Sequence, residues 1–279
     1  MNIYDCFMYF DEDLLLDLRL NVLNNFVDKF IIVESNLTHT GKLKELKFDI
    51  NKFKKFKNKI SYHPIENLQV DKNLKLKKNW SHYHLIDQSI RNSISKYISD
   101  ASDDDWIIIS DIDEIPNPNV IQNFDKRNKY SFFEQQLFYY KFNLKCLSEP
   151  IWYGSRLCIK KYLKSPQWLR NIKDKKYPFF RIDTIFSKTK YISIKFINNG
   201  GWHFSNIKSA KEIEHKLKSY LHHREFDEQP LSVQEINKVM ENKQAIYDLK
   251  VDKRVNKIGN GVKLEKFEFE KLPKYIQEN

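Results

Sequence analysis

The sequence predicts an α/β fold: a mostly parallel sheet flanked by helices, followed by a C-terminal helical extension. Three observations carry this. Lys29-Phe30-Ile31-Ile32-Val33-Glu34 and Trp106-Ile107-Ile108-Ile109 are short apolar runs without alternation, the profile of strands buried on both faces. Segments of helical periodicity lie before each of them, giving a β-α-β order. The chain has 279 residues, 41% of them hydrophobic, enough for one sizeable core.

Taken in order, Ile3 to Phe10 reads as a first strand, and Asp11-Glu12-Asp13 marks a helix start. Leu16, Leu20, Leu23 and Val27 then share one helical face. Lys42 to Lys59 is Lys-rich and reads as a solvated helix or loop, and Lys59 to His63 as a weaker strand. From Ser81 to Ser99 the apolar positions Leu85, Ile86, Ile90, Ile94 and Tyr97 predict a helix feeding Trp106-Ile109. Beyond Pro116 and Pro118 the chain becomes strand-rich: Ser131–Leu144, Arg156–Ile159 and Phe179–Phe186. Helices are expected over Ser209–His223 and from Ser232 to about Leu249, with a charged tail turning at Gly259-Asn260-Gly261. The whole reads as one domain over residues 1–279. Within it, about 1–120 and about 121–230 read as two halves and 231–279 as a wrapping segment.

A net charge of +11 suggests nucleic acid, but only eight of the basic residues are Arg and the rest are Lys spread along the chain. Lysine lacks the planar fork that reads phosphate and guanine bidentately, so no nucleic-acid partner is expected. A basic surface suits an anionic membrane or an acidic polysaccharide instead. Cys6, Cys146 and Cys158 are too few and too widely spaced for a disulfide framework or a CxxC metal site, and read as buried thiols. No signal-like N-terminus and no run of eighteen apolar residues occurs, so the expected location is cytoplasmic, with peripheral contact at the inner membrane face.

The strongest chemical signal is Ile107-Ile108-Ile109-Ser110-Asp111-Ile112-Asp113-Glu114-Ile115-Pro116. A buried strand delivers two carboxylates at its C-terminal end, where open α/β sheets bind ligands. Period-two geometry puts Asp111 and Asp113 on one side. Two hard oxygen donors can hold Mg²⁺ or Mn²⁺ while phosphate oxygens and water fill the remaining positions. D-x-D after a strand also occurs in phosphohydrolases of the haloacid-dehalogenase type, which want Thr or Val where this chain has Ile115. Arg91-Asn92 lies on the preceding helix, from which a cation can reach the same sheet edge. Gly200-Gly201-Trp202-His203-Phe204-Ser205 reads as a loop able to approach a ligand closely, with His203 as a further metal ligand.

Several of these blocks, in this order, resemble glycosyltransferase family 17. The opening Tyr4-Asp5-Cys6-Phe7-Met8-Tyr9-Phe10, Asp17-Leu18-Arg19-Leu20 and Val27-Asp28-Lys29-Phe30-Ile31-Ile32-Val33-Glu34-Ser35 carry the likeness first. Thr38-His39-Thr40-Gly41, Arg91-Asn92, the Ser110–Pro116 block, the Gly-Gly-Trp-His-Phe-Ser segment and Lys218–Phe226 follow. The resemblance implies a GT-A type, Rossmann-like fold and transfer of N-acetylglucosamine from UDP-GlcNAc. Residues 145–195 match poorly and are the place expected for acceptor recognition.

On that footing the expected site has Asp111, Asp113 and His203 at a divalent ion and Arg91 and Asn92 near the diphosphate. Glu34 and Ser35 meet the nucleotide, and Trp202 gives the sugar an apolar face. An inverting transfer needs a carboxylate base, and the residues leave it open among Glu114, Glu134, Asp183 and Glu225. The acceptor is expected to be a polysaccharide, a glycoprotein glycan or a lipid-linked glycan. A metal-dependent phosphohydrolase and a non-catalytic glycan-binding protein are the alternatives.

Overall fold

A computed structural model describes residues 1–68, 82–121, 124–147, 151–219, 223–248 and 257–279. Its strands are β1 (Ile3–Met8), β2 (Lys29–Ser35), β3 (Ile60–Ile65), β4 (Trp106–Asp111), β5 (Glu114–Pro116), β6 (Tyr130–Tyr139), β7 (Leu144–Cys146), β8 (Trp152–Ile159), β9 (Ile194–Ser205) and β10 (Leu264–Lys266). They form one mixed sheet in the order β10-β7-β6-β8-β4-β1-β2-β3, with β9 pairing both β6 and β5. The run β3-β2-β1-β4 is parallel. Beyond β4 the pairing turns antiparallel through β8, β6, β7 and β10, although β9 runs parallel to β6.

Alternation decides which face each residue serves. Helix α1 (Asp13–Leu23) buries Leu16, Leu20 and Leu23 against one face, where Phe7, Phe30 and Ile32 point. Helix α2 (His82–Tyr97) buries Ile86, Ile90 and Ile94 against the other, where Cys6, Ile31, Val33, Ile107 and Ile109 point. Between β5 and β8 lies the short α3 (Pro118–Ile121), and after β8 comes α4 (Pro166–Asn171). Pro166 stands in the first turn of α4, and Ser165 caps it by accepting the Trp168 amide at 3.2 Å.

The C-terminal part is helical as expected. Helices α5 (Ala210–Ser219), α6 (His223–Glu228) and α7 (Val233–Glu241) bury Ile213, Phe226 and Ile236 over the far halves of β6 and β7. Helix α7 starts at a reciprocal Ser232–Glu235 capping box. It stops well before Leu249, which lies outside the described residues. Lys243 adopts φ +50°, a left-handed turn that ends helices, and Ala245 pairs with the chain at Val262 instead. The last helix, α8 (Lys274–Glu278), returns to α1, where the Tyr275 hydroxyl donates to Asp17 at 2.6 Å.

Two expectations need correction. Phe179–Phe186 is no strand: it is an exposed loop with a single short 3₁₀ turn at Ile182–Thr184. The Lys42–Lys59 stretch is not wholly solvated, since a 3₁₀ helix over Ile50–Phe56 buries Phe53 and Phe56. The three cysteines are free and buried.

Candidate active site

The C-terminal ends of β1, β2 and β4 open onto a cleft of about 390 Å³, the position where open α/β sheets take ligands. At its floor, β4 ends on Asp111, a two-residue turn follows, and β5 starts at Glu114. The turn is held from beneath by a dry arginine. Arg19 on α1 is fully buried and grips Asp5 of β1 with two hydrogen bonds, Nε to Oδ2 at 2.7 Å and Nη2 to Oδ1 at 2.6 Å. Its remaining donors reach the carbonyls of Asp111 at 3.1 Å, Ile112 at 3.3 Å and Glu114 at 2.8 Å, and the Ser110 hydroxyl at 2.5 Å. A guanidinium is the one side chain with enough fixed donors to satisfy a carboxylate and a tight turn together.

Above the turn, Asp111 faces the cleft between two further arginines. Arg91 of α2 donates to Oδ1 at 3.0 Å, and Arg170 of α4 donates to Oδ2 at 3.0 Å. Burial disfavours the charge on Asp111, but Arg170 and then Arg91 outweigh it and hold the carboxyl well below its usual range. Arg170 also grips Glu114 at 2.7 and 3.0 Å, while Arg91 pairs with Asp87 at 2.8 Å and bonds Gln167. Helix α4 is seated to make this possible. The Gln167 amide donates to Asn92 at 3.0 Å, and Arg156 donates to the helix-end carbonyls of Leu169 and Ile172 at 2.9 and 2.6 Å.

Asp113 meets His203, whose Nε2 lies 3.4 Å from Oδ2. Burial pushes against ionisation of both groups; their mutual attraction prevails, lowering the carboxyl and raising the imidazole. Trp152 stacks on His203 with ring centres 4.7 Å apart and donates its indole N–H to Glu114 at 3.0 Å. His203 belongs to β9, so the Gly-Gly-Trp-His segment is a strand and not a ligand-approaching loop. Its glycines admit neighbouring backbone. A Cβ on Gly200 would lie 2.8 Å from the Glu134 nitrogen, and one on Gly201, at φ +139°, would lie 2.1 Å from the Ile115 carbonyl.

Of the residues read from the sequence, Ser35, Arg91, Asp111, Asp113 and His203 line the cleft together. Others do not. Glu34 is buried on the α1 side, where it accepts from the Lys47 and Phe48 amides at 2.8 and 3.1 Å and from Tyr62 at 2.9 Å. Asn92 serves α4, not the cleft. Trp202 alternates away from His203 into the core beside Phe138 and Phe204, so the tryptophan on the cleft wall is Trp152. Glu114 is fully buried, its carboxylate closed off by Arg170 and Trp152. Glu134 stands on β6 in a separate hollow with Lys145 and Asn199. Asp183 sits on the exposed loop, paired with Arg181 and Lys190. Glu225 lies on α6, its side chain outside the described residues.

The sequence profile of glycosyltransferase family 17 matches residues 1–279. The chain belongs to that family. A comparison with curated proteins gave no match. As a family 17 glycosyltransferase the protein is an enzyme with a GT-A-like α/β fold, and the phosphohydrolase and binding-protein readings give way.

For this glycosyltransferase the donor set bears on the expected metal. Among the described residues no three His, Cys, Asp or Glu side chains are grouped as a metal shell. Asp111 gives an oxygen to each of two arginines, and His203 faces the Asp113 carboxylate instead of lying beside it as a third ligand. This arrangement does not fit an ion caged by protein alone. It fits an Mg²⁺- or Mn²⁺-like ion that leans on one or two carboxylates and takes substrate oxygens and water for the rest.

Several cleft residues lacked a sequence signal of their own. Lys44, Asp87, Trp152, Arg170 and Lys216 come from separate elements. Only the arginines carried a usable cue. In a chain that writes most of its positive charge as Lys, three of its eight Arg (19, 91 and 156) are buried and a fourth, Arg170, is 14% exposed at the cleft.

Proposed function

We propose that this family 17 enzyme is an inverting, metal-dependent transferase that moves N-acetylglucosamine from UDP-GlcNAc to a glycan hydroxyl. The observation that carries this is the cleft itself, where a carboxylate pair meets Arg91, Arg170, Lys44 and Lys216 at the ends of parallel strands. Such a mixture of signs suits a diphosphate that arrives with a divalent ion. Asp113, with Asp111 beside it, would hold that ion. Bound there, the ion supplies Lewis acidity to the departing nucleotide. Arg91 and Arg170 orient Asp111 and add fixed positive charge on the same side; His203 keeps Asp113 in register; Ser35 meets the nucleotide.

Deprotonation of the acceptor needs a carboxylate on the cleft wall. Asp11 pairs with Lys208, Asp87 with Arg91, and Glu212 with Ser209. Glu12 differs: one oxygen, Oε2, accepts the Phe10 and Asp11 amides, and burial raises its pKa, the direction a base working near neutrality needs. Glu12 therefore takes the role ahead of Glu114, Glu134, Asp183 and Glu225. The acceptor is a polysaccharide, glycoprotein glycan or lipid-linked glycan of the cell that makes the enzyme.

The test is nucleotide release from a panel of UDP-sugars, with Mn²⁺, Mg²⁺ or EDTA, for the native protein and Asp113→Ala. Slow release from UDP-GlcNAc that needs metal and Asp113 supports the proposal. Release that survives EDTA overturns the metal, and preference for another sugar nucleotide overturns the donor.

A further inference from the structure

The loop between α4 and β9 breaks the rule that governs the rest of the chain. Within it Phe179, Phe180, Ile182, Ile185 and Phe186 point outward, with Phe179 87% and Phe186 83% exposed. Large apolar side chains gathered on one exposed loop mark an interaction surface. The loop is nevertheless built. Backbone bonds Arg181 to Pro178, Thr184 to Arg181 and Ile185 to Ile182 close its tip, and Thr184 is buried inside. Its base is closed by the Lys173 amide donating to Thr189 at 2.7 Å, and it is tied to α4 by the Trp168 indole donating to the Lys188 carbonyl at 2.8 Å.

Charge says what the loop meets. Residues 173–192 hold six basic side chains against two acidic ones, and the acid near the tip, Asp183, is already paired twice. Lys173, Lys175, Lys176 and Lys188 are exposed around the apolar tip. A second copy of the chain in a two-fold contact would press this lysine rim against itself. A bilayer with anionic headgroups takes both parts, the rings in the acyl boundary and the lysines among phosphates.

We infer that residues 173–192 form a membrane-docking loop that seats the enzyme on an anionic lipid surface. The loop is rooted on the helix that presents Arg170 to the cleft, so docking carries the cleft to the headgroup layer. No helix among the described residues is long and apolar enough to cross a membrane, so attachment by this loop is peripheral. The inference does not depend on the donor or the metal.

Co-sedimentation with vesicles tests it directly. The purified protein should pellet with phosphatidylcholine–phosphatidylserine vesicles and stay in solution with phosphatidylcholine alone, with binding falling as salt rises. The variant F179S/F180S/F186S should bind at least about tenfold more weakly. Its circular dichroism and its hydrolysis of a soluble sugar nucleotide should match the native protein, because none of the three lines the cleft. The charge variant K175E/K176E should lose the preference for anionic vesicles with the rings intact. Equal pelleting of native and triple-serine proteins, or no pelleting with anionic vesicles, overturns the inference. A native dimer that the serine variant converts to monomer, without vesicle binding, replaces the bilayer with a second copy.

Discussion

Two arginine–carboxylate clusters lie on opposite sides of the Ser110–Glu114 turn. Beneath it, Arg19 and Asp5 are wholly removed from solvent, and every donor of the guanidinium is spent on protein. Above it, Arg91 and Arg170 share Asp111, whose side chain remains 37% exposed to the cleft. The chemistry is the same and the access to water differs. A dry cluster can only hold backbone, because releasing any partner leaves a buried charge uncompensated. A wet cluster can exchange partners, since water or a ligand's phosphate replaces what is let go. Fixed contacts are concentrated under the turn and exchangeable ones above it.

Removing the dry arginine should have the largest effect. Arg19→Met strands Asp5 and should destabilise the fold by about 3–5 kcal/mol, measured by urea denaturation. Pairing it with Asp5→Leu should recover much of that loss without recovering activity, because the turn still lacks its donors. Equal activity in the double variant would break the distinction between the clusters. On the wet side, Asp113→Ala should lower sugar-nucleotide turnover by about 100-fold or more while shifting stability by less than about 1 kcal/mol. Arg170→Lys comes next. A single ammonium cannot grip Asp111 and Glu114 together, so turnover should fall about tenfold with folding retained. Glu12→Gln sharpens the assignment of the base. Burial places its pKa above the ordinary glutamate value, so native activity should be lost as pH falls through that raised value. The glutamine variant should be slow and lack this acid limb. Asp183→Asn, on the docking loop, should leave turnover unchanged.

The comparison also explains what the sequence made legible. Buried strands, the helices between them and the Asp111–Asp113 turn were readable because period and apolarity report burial directly. Which strand-end residue enters the cleft was harder. Glu34 and Ser35 are neighbours at the end of β2, yet alternation sends Glu34 to the α1 side and Ser35 to the cleft. Trp202 and His203 divide in the same way on β9. Arg170 and Trp152 reach the site through tertiary placement of α4 and β8, which no local pattern encodes. The loop at Phe179–Phe186 looked like a strand because apolar density says that water is avoided; whether protein or another phase supplies the shelter is not written in the local sequence.

Strand β9 has one more consequence. Glu114 pairs with His203 and Pro116 with Gly201, so the carboxylate turn is stitched to a segment synthesised long after it. While the chain is being made, the parallel strands and the Arg19–Asp5 grip can assemble, but β5 has no partner and Asp113 has no imidazole beside it. The Asp113–His203 pair is therefore completed late in synthesis, when β9 takes its place between β5 and β6. A chain interrupted before Ile194 could keep the dry half of this architecture and would still lack a finished site.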